Sequence, residues 1–182
     1  MGTLLRFSGP KVTPLILQTE AAECGLACVA MIAGHHGQHI DLASLRRELP
    51  NSGRGVTIAQ LAVAAARTGM TARPIKAELE DLSSCALPAV LHWNFDHFVV
   101  LVGFGRGRAL IHDPARGASE MPLCEVSRHF TGVCLELLPG SSFAPSKAPR
   151  RISVLDLMGR LREARGAVAQ VLMMAAALEI FA

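Results

Sequence analysis

The side chains of this sequence best suited to covalent chemistry are its five cysteines, Cys24, Cys28, Cys85, Cys124 and Cys134. A thiol acts as a nucleophile only as thiolate, and an unperturbed cysteine titrates near about 8.5, so something must assist ionisation. Cys24 has such assistance. It opens an apolar-periodic stretch that reads as a helix over 23–36, and the positive end of a helix dipole favours an anion there. Gly25 follows, removing a side chain where a substrate must come close. Against this stands the commonest fate of a free cysteine, a small buried hydrophobe. Cys28, one helical turn on, reads as core. A Cys-x3-Cys metal half-site would need two further ligands, and neither Cys85, Cys124 nor Cys134 supplies a paired spacing, so no metal is expected.

A nucleophilic thiol needs a base. Of seven histidines, His35, His36 and His39 cluster where the helix exits and read as a solvated turn; His129 ends a short helix. His97 instead opens the run HFVVLVGF, at the lip of a strand that would hold it rigidly and leave it accessible. A base histidine is oriented through its second nitrogen. Asp113, after the next strand, can return beside His97 if the two strands form a hairpin around Gly105 and Gly107. Asn94 and Asp96 are rivals. Asp96 is disfavoured because adjacent strand residues point to opposite faces. Acyl transfer also needs donors for the oxyanion: the backbone N–H of Cys24 is one, and the Gln18 amide, six residues upstream, is a candidate second. Gly103, Gly105 and Gly107 do not match a phosphate-binding loop, and no nucleotide motif occurs.

These groups need elements to hold them. Helices are predicted over 23–36, over 42–49 after Asp41, and over 58–68 with Thr57 as cap and Gly69 at the exit. The period then changes. Short runs at 89–93, 98–103, 109–113 and 133–138 read as strands, with a short helix over 123–130. A helical half carrying the thiol, followed by an antiparallel sheet, is an α+β arrangement.

Residues 139–152 are rich in Pro and Ser and read as a linker after a domain over 1–138. Within 153–182, an amphipathic stretch precedes the apolar residues from Ala167 onward. With Arg150, Arg151, Arg160, Arg162 and Arg165 just before them, these read as the start of a first transmembrane span on the cytoplasmic side. Glu179 is the residue that fits this least. A net charge of +3, 4% aromatics, one Trp and no Tyr argue against nucleic-acid binding. An odd cysteine count without a secretory signal indicates a reducing compartment.

Taken together, Gln18-Thr-Glu-Ala-Ala-Glu-Cys24-Gly25-Leu-Ala27-Cys28, Trp93-Asn-Phe-Asp-His97-Phe-Val-Val-Leu101 and Ile111-His-Asp113-Pro114-Ala-Arg-Gly117 resemble, in order, the cysteine, histidine and aspartate motifs of the C39 family. These are the peptidase domains at the N-terminus of bacteriocin-processing ABC transporters, and the wording is closest to colicin V-type exporters. The resemblance covers roughly 14–139. It implies a papain-like fold and a Cys24–His97–Asp113 triad with Gln18 at the oxyanion. It further implies no cofactor, cleavage of a leader peptide after a double-glycine type motif, and transmembrane and ATPase domains as partners at the bacterial inner membrane.

Overall fold

The computed structural model describes residues 12–48, 55–146, 170, 174 and 176–179. The chain divides into two compact units, Met1–Ala148 and Pro149–Ala182.

The first unit begins with an extended segment, then a 3-10 turn at Ala21–Glu23 that runs directly into α1, Cys24–His35. Residues Cys24 to Ala33 of α1 are all buried. That explains its weak amphipathicity in sequence: a helix covered on every side needs no polar face. Helices α2 (Leu42–Glu48) and α3 (Ile58–Arg67) follow. Thr57 starts α3 with a reciprocal capping box, its hydroxyl accepting from the Gln60 N–H while the Gln60 side chain takes the Thr57 N–H. Such a cap contributes about 1 kcal/mol.

Six strands then form one antiparallel sheet: β1 (Met70–Lys76), β2 (Ala89–Trp93), β3 (His97–Gly105), β4 (Arg108–Asp113), β5 (Gly117–Pro122) and β6 (Phe130–Pro139). Helix α4, Leu123–His129, lies between the last two. The strand order is β1-β6-β2-β3-β4-β5. The expected α+β arrangement is the one observed, including each of the four predicted strands.

The sheet has a core on both faces. On one, Val90, Phe98, Val100, Leu135 and Leu137 pack with α1, Leu61 and Ala64. On the other, Leu91, Val99, Leu101, Ile111 and Cys134 pack with Leu82, Trp93 and Val126. Central strands covered twice read as unbroken apolar runs, as HFVVLV does. The two strands that pattern reading omits, β1 and β5, are the two edges of the sheet. Their sequences, MTARPIK and GASEMP, are polar, and Pro74 is admissible in β1 because an edge strand has one free side.

The stretch after β6 departs from the linker reading. The Gly140 N–H donates to the Gly69 carbonyl at 2.9 Å, Phe143 packs against the helical core, and the Ser146 hydroxyl accepts from the His39 N–H at 3.0 Å. Residues 140–146 therefore belong to the folded unit, because Phe143 brings apolar surface worth burying. Most of 153–182 lies outside the described residues; those described there, 170, 174 and 176–179, are helical. Among the described residues no helix is long and apolar enough to cross a membrane.

Candidate active site

Cys24 is the first residue of α1, directly after the 3-10 turn Ala21–Glu23. The helix is buried, and Cys24 is only 4% exposed, yet it lines an open cleft of about 630 Å³. Ala21, Val56, Ile58, Phe95 and Phe98 give that cleft apolar walls, with Thr57, His92 and Asp96 adding polar atoms. Cys28 is fully buried, and burial pushes its thiol well above the ordinary range. The two cysteines therefore separate as expected, one facing the cleft and one in the core.

Gly25 has a different reason from the one expected. A Cβ there would lie 2.6 Å from both Leu61 Cδ2 and Val56 Cγ2. The residue is small so that α1 can approach α3 and the segment before it.

The base and its carboxylate come from one hairpin. β3 and β4 pair from Val100↔His112 to Gly105↔Arg108, closed by Arg106 and Gly107, both with positive φ. That register returns Asp113 to the end of the sheet where β3 begins. His97 alternates with Val99 and Leu101, and Asp113 with Ile111 and Ala109, so both start from one face. His97 Nε2 and Asp113 Oδ1 are 2.8 Å apart. The same oxygen accepts the Ala115 N–H at 2.8 Å, which fixes the carboxylate within its turn. Of the rivals, Asn94 bonds to His129 and Asp96 lines the cleft.

Cys24 acts on the His97 imidazole as well. The Cys24 hydrogen bond raises the imidazole pKa most. Burial opposes it, and the hydrogen bond and charge of Asp113 reinforce it, to give about 9 against an ordinary 6.5. Both neighbours thus favour the protonated ring over the neutral one.

Gln18 reaches the site through its backbone. Its N–H donates to the Pro114 carbonyl at 2.9 Å, anchoring the entering strand to the turn after Asp113. One amide atom, Oε1, is buried without a partner. The two ends of an amide have the same shape, so a turn of the terminal torsion offers Nε2 at that position. Gln18 is thus tied through its backbone to the turn after Asp113, and Asp113 to His97.

Sequence reading missed the residues that hold the nucleophile's approach. Glu23 is 3% exposed and binds Thr19, Glu20 and Arg46. An acid immediately before a buried helix was the available signal. It also missed Phe95, 82% exposed at the cleft and, with Asn94, in the left-handed region at φ 67° and 51°. No group of three or more metal-ligating side chains occurs among the described residues.

The Peptidase C39 family profile matches residues 12–142. The chain is 43% identical over 97% of its length to the colicin V secretion/processing ATP-binding protein of Escherichia coli, of which it spans 25%. Among solved structures it resembles a double glycine motif protease from an AMS/PCAT transporter, crystallised with the leader peptide. That likeness has a TM-score of 0.68 and 37% identity, over 73% of this chain and 96% of that one. The peptidase domain of Streptococcus ComA, a bi-functional ABC transporter, matches with a TM-score of 0.65 and 26% identity, over 70% and 99%. A family match over more than half the chain, carried on a helix-borne thiol facing a sheet-borne histidine, makes this chain a member of the C39 family of cysteine peptidases.

Proposed function

We propose that this chain is the peptidase part of a peptide exporter and that it removes a leader by cutting after a double-glycine type motif. The observation that carries this is Cys24 at the head of α1, lining a cleft, together with a His97 imidazole held by Asp113 at 2.8 Å. The Cys24 thiolate attacks the carbonyl of the second glycine. The Cys24 N–H and the Gln18 amide stabilise the oxyanion. The His97 imidazolium gives its proton to the departing amine, leaving an acyl-enzyme. As a neutral base the ring then takes a proton from water, whose oxygen releases the leader acid and restores the thiol. Asp113 keeps the ring in the tautomer and orientation for both steps. The buried position of Cys24 at the cleft floor suits glycine, because a larger side chain beside the scissile bond would meet the wall.

The names of its relatives support placing this domain at the cytoplasmic face of a bacterial inner membrane, beside transmembrane and ATPase domains. The chain spans about a quarter of the length of that relative. In this reading the basic residues near 150–165 and the apolar ones after them lead into a membrane span.

The test is a precursor with a leader ending in Gly-Gly, incubated with the chain and followed by mass spectrometry. A single cut after the second glycine, lost in Cys24→Ala, is the expected result. Binding without cleavage by the parent chain would make it a docking module.

A further inference from the structure

Glu23 directly precedes the nucleophile, is 3% exposed, and is one of the buried carboxylates of the first unit. Burying a charge is costly unless it is paired and fully hydrogen-bonded, and this one is. Its Oε2 accepts three hydrogen bonds from the two residues after Gln18: the Thr19 N–H at 3.1 Å, the Thr19 hydroxyl at 2.6 Å and the Glu20 N–H at 3.0 Å. Its Oε1 accepts from the Arg46 guanidinium of α2. Arg46 also reaches the Thr19 hydroxyl at 3.1 Å and the Glu20 carboxylate at 3.2 Å.

This network ties down one stretch of chain. Residues 18–20 lie outside helix and strand, so no ladder fixes them. Their position is set at one end by the Gln18–Pro114 backbone bond and at the other by the Glu23 carboxylate. Glu23 itself is joined by one peptide bond to Cys24.

We propose that Glu23, with Arg46 as its counter-ion, is a positioning residue for the acyl-transfer step, clamping 18–20 so that the Gln18 amide stands at a fixed place over the Cys24 Sγ and N–H. This rests on the peptidase reading above. Glu23 touches no reacting atom. It acts through Gln18, so its removal matters only while Gln18 is present.

The experiment uses the full chain with Glu23→Ala, Arg46→Ala and Thr19→Val, each in the parent and in a Gln18→Ala background. Circular dichroism establishes folding, and three quantities are read: kcat and KM for a Gly-Gly precursor, and the iodoacetamide alkylation rate at Cys24, localised by peptide mass spectrometry. Removing one oxyanion donor costs about 10²–10³-fold in kcat, so Glu23→Ala is expected to lose about 10–100-fold in kcat. KM and alkylation should stay within about threefold, and in the Gln18→Ala background the further loss should be under about threefold. Thr19→Val, which deletes one hydroxyl, should show the same pattern at smaller size and serves if Glu23→Ala does not fold. Equal losses in both backgrounds would overturn the proposal, because Glu23 would then act independently of Gln18. Alkylation falling in step with kcat would overturn it too, by moving the effect to the thiol. A parent chain that leaves the precursor uncut removes the peptidase reading and this proposal together, and that is seen before any variant is compared.

Discussion

At the scale of single residues, the site separates groups that do chemistry from groups that hold them. Cys24→Ala should abolish cleavage while leaving precursor binding within about threefold in Kd, since the thiol contributes to bond making and little to docking; isothermal titration alongside the cleavage assay checks both. Cys28→Ala is its control. It should keep turnover and lose about 1–2 kcal/mol of stability in urea, because Cys28 is fully buried. His97→Ala should be as damaging as Cys24→Ala, with Asp113→Ala less so, as residues acting as a unit are not additive.

The imidazole gives a pH prediction. Because its pKa is raised from 6.5 to about 9, the protonated ring is the form the fold favours. That contribution to stability is complete below the ordinary value of 6.5 and is lost as pH climbs through about 9. The basic limb of kcat/KM should therefore lie near 9. In Asp113→Asn it should move to lower pH, since the negative charge is gone and a neutral amide oxygen favours the imidazolium less. A limb that stays in place would show that Asp113 does not sustain the imidazolium.

At the scale of elements, what sequence reveals depends on how each element is buried. β3, which carries His97, has buried residues on both faces and its apolar run announces it, whereas β4, which carries Asp113, buries Ala109 and Ile111 on one face and leaves Leu110 exposed on the other. The edge strands β1 and β5 carry little apolar signal, because register with β6 and β4 decides their pairing. Cys24, His97, Asp113 and Gln18 came forward through three local runs read together, and the structure pairs His97 with Asp113 and ties Gln18 to the turn that follows. Arg46, Val56 and Phe95 join the site from other stretches, and only the packing of α2, α3 and the β2–β3 turn brings them there. Gly25 was legible as a constraint but its cause was not, since Leu61 and Val56 lie more than thirty residues away in sequence. Gly69 makes a sharper test of packing. It has φ +83°, and a Cβ there would lie 2.7 Å from the Phe143 Cα. Gly69→Ala should cost about 2–4 kcal/mol in denaturant unfolding, from left-handed strain and displacement of the 140–146 segment.

At the scale of the molecule, that segment decides where the peptidase unit ends. A chain stopped at Pro139 lacks Phe143 and the Ser146 contacts to His39, and should lose about 1–3 kcal/mol relative to one stopped at Ala148. Thermal melts and cleavage rates of the two truncations measure this. Equal stability would restore the whole of 139–152 to the role of linker.

The layered build has one more consequence. The nucleophile and the Gln18 segment arrive with the helical layer, whereas His97 and Asp113 arrive together on one hairpin. The hairpin can persist as a hydrogen-bonded ladder even if α1 lifts away from it, but then the thiol no longer has the imidazole within reach. Turnover is then a gauge of whether the two layers are seated. In rising urea, activity should fade while the amide protons of Val99 to Leu101 still exchange slowly with solvent, because separating the layers parts the sulfur from the ring before it unzips the strands.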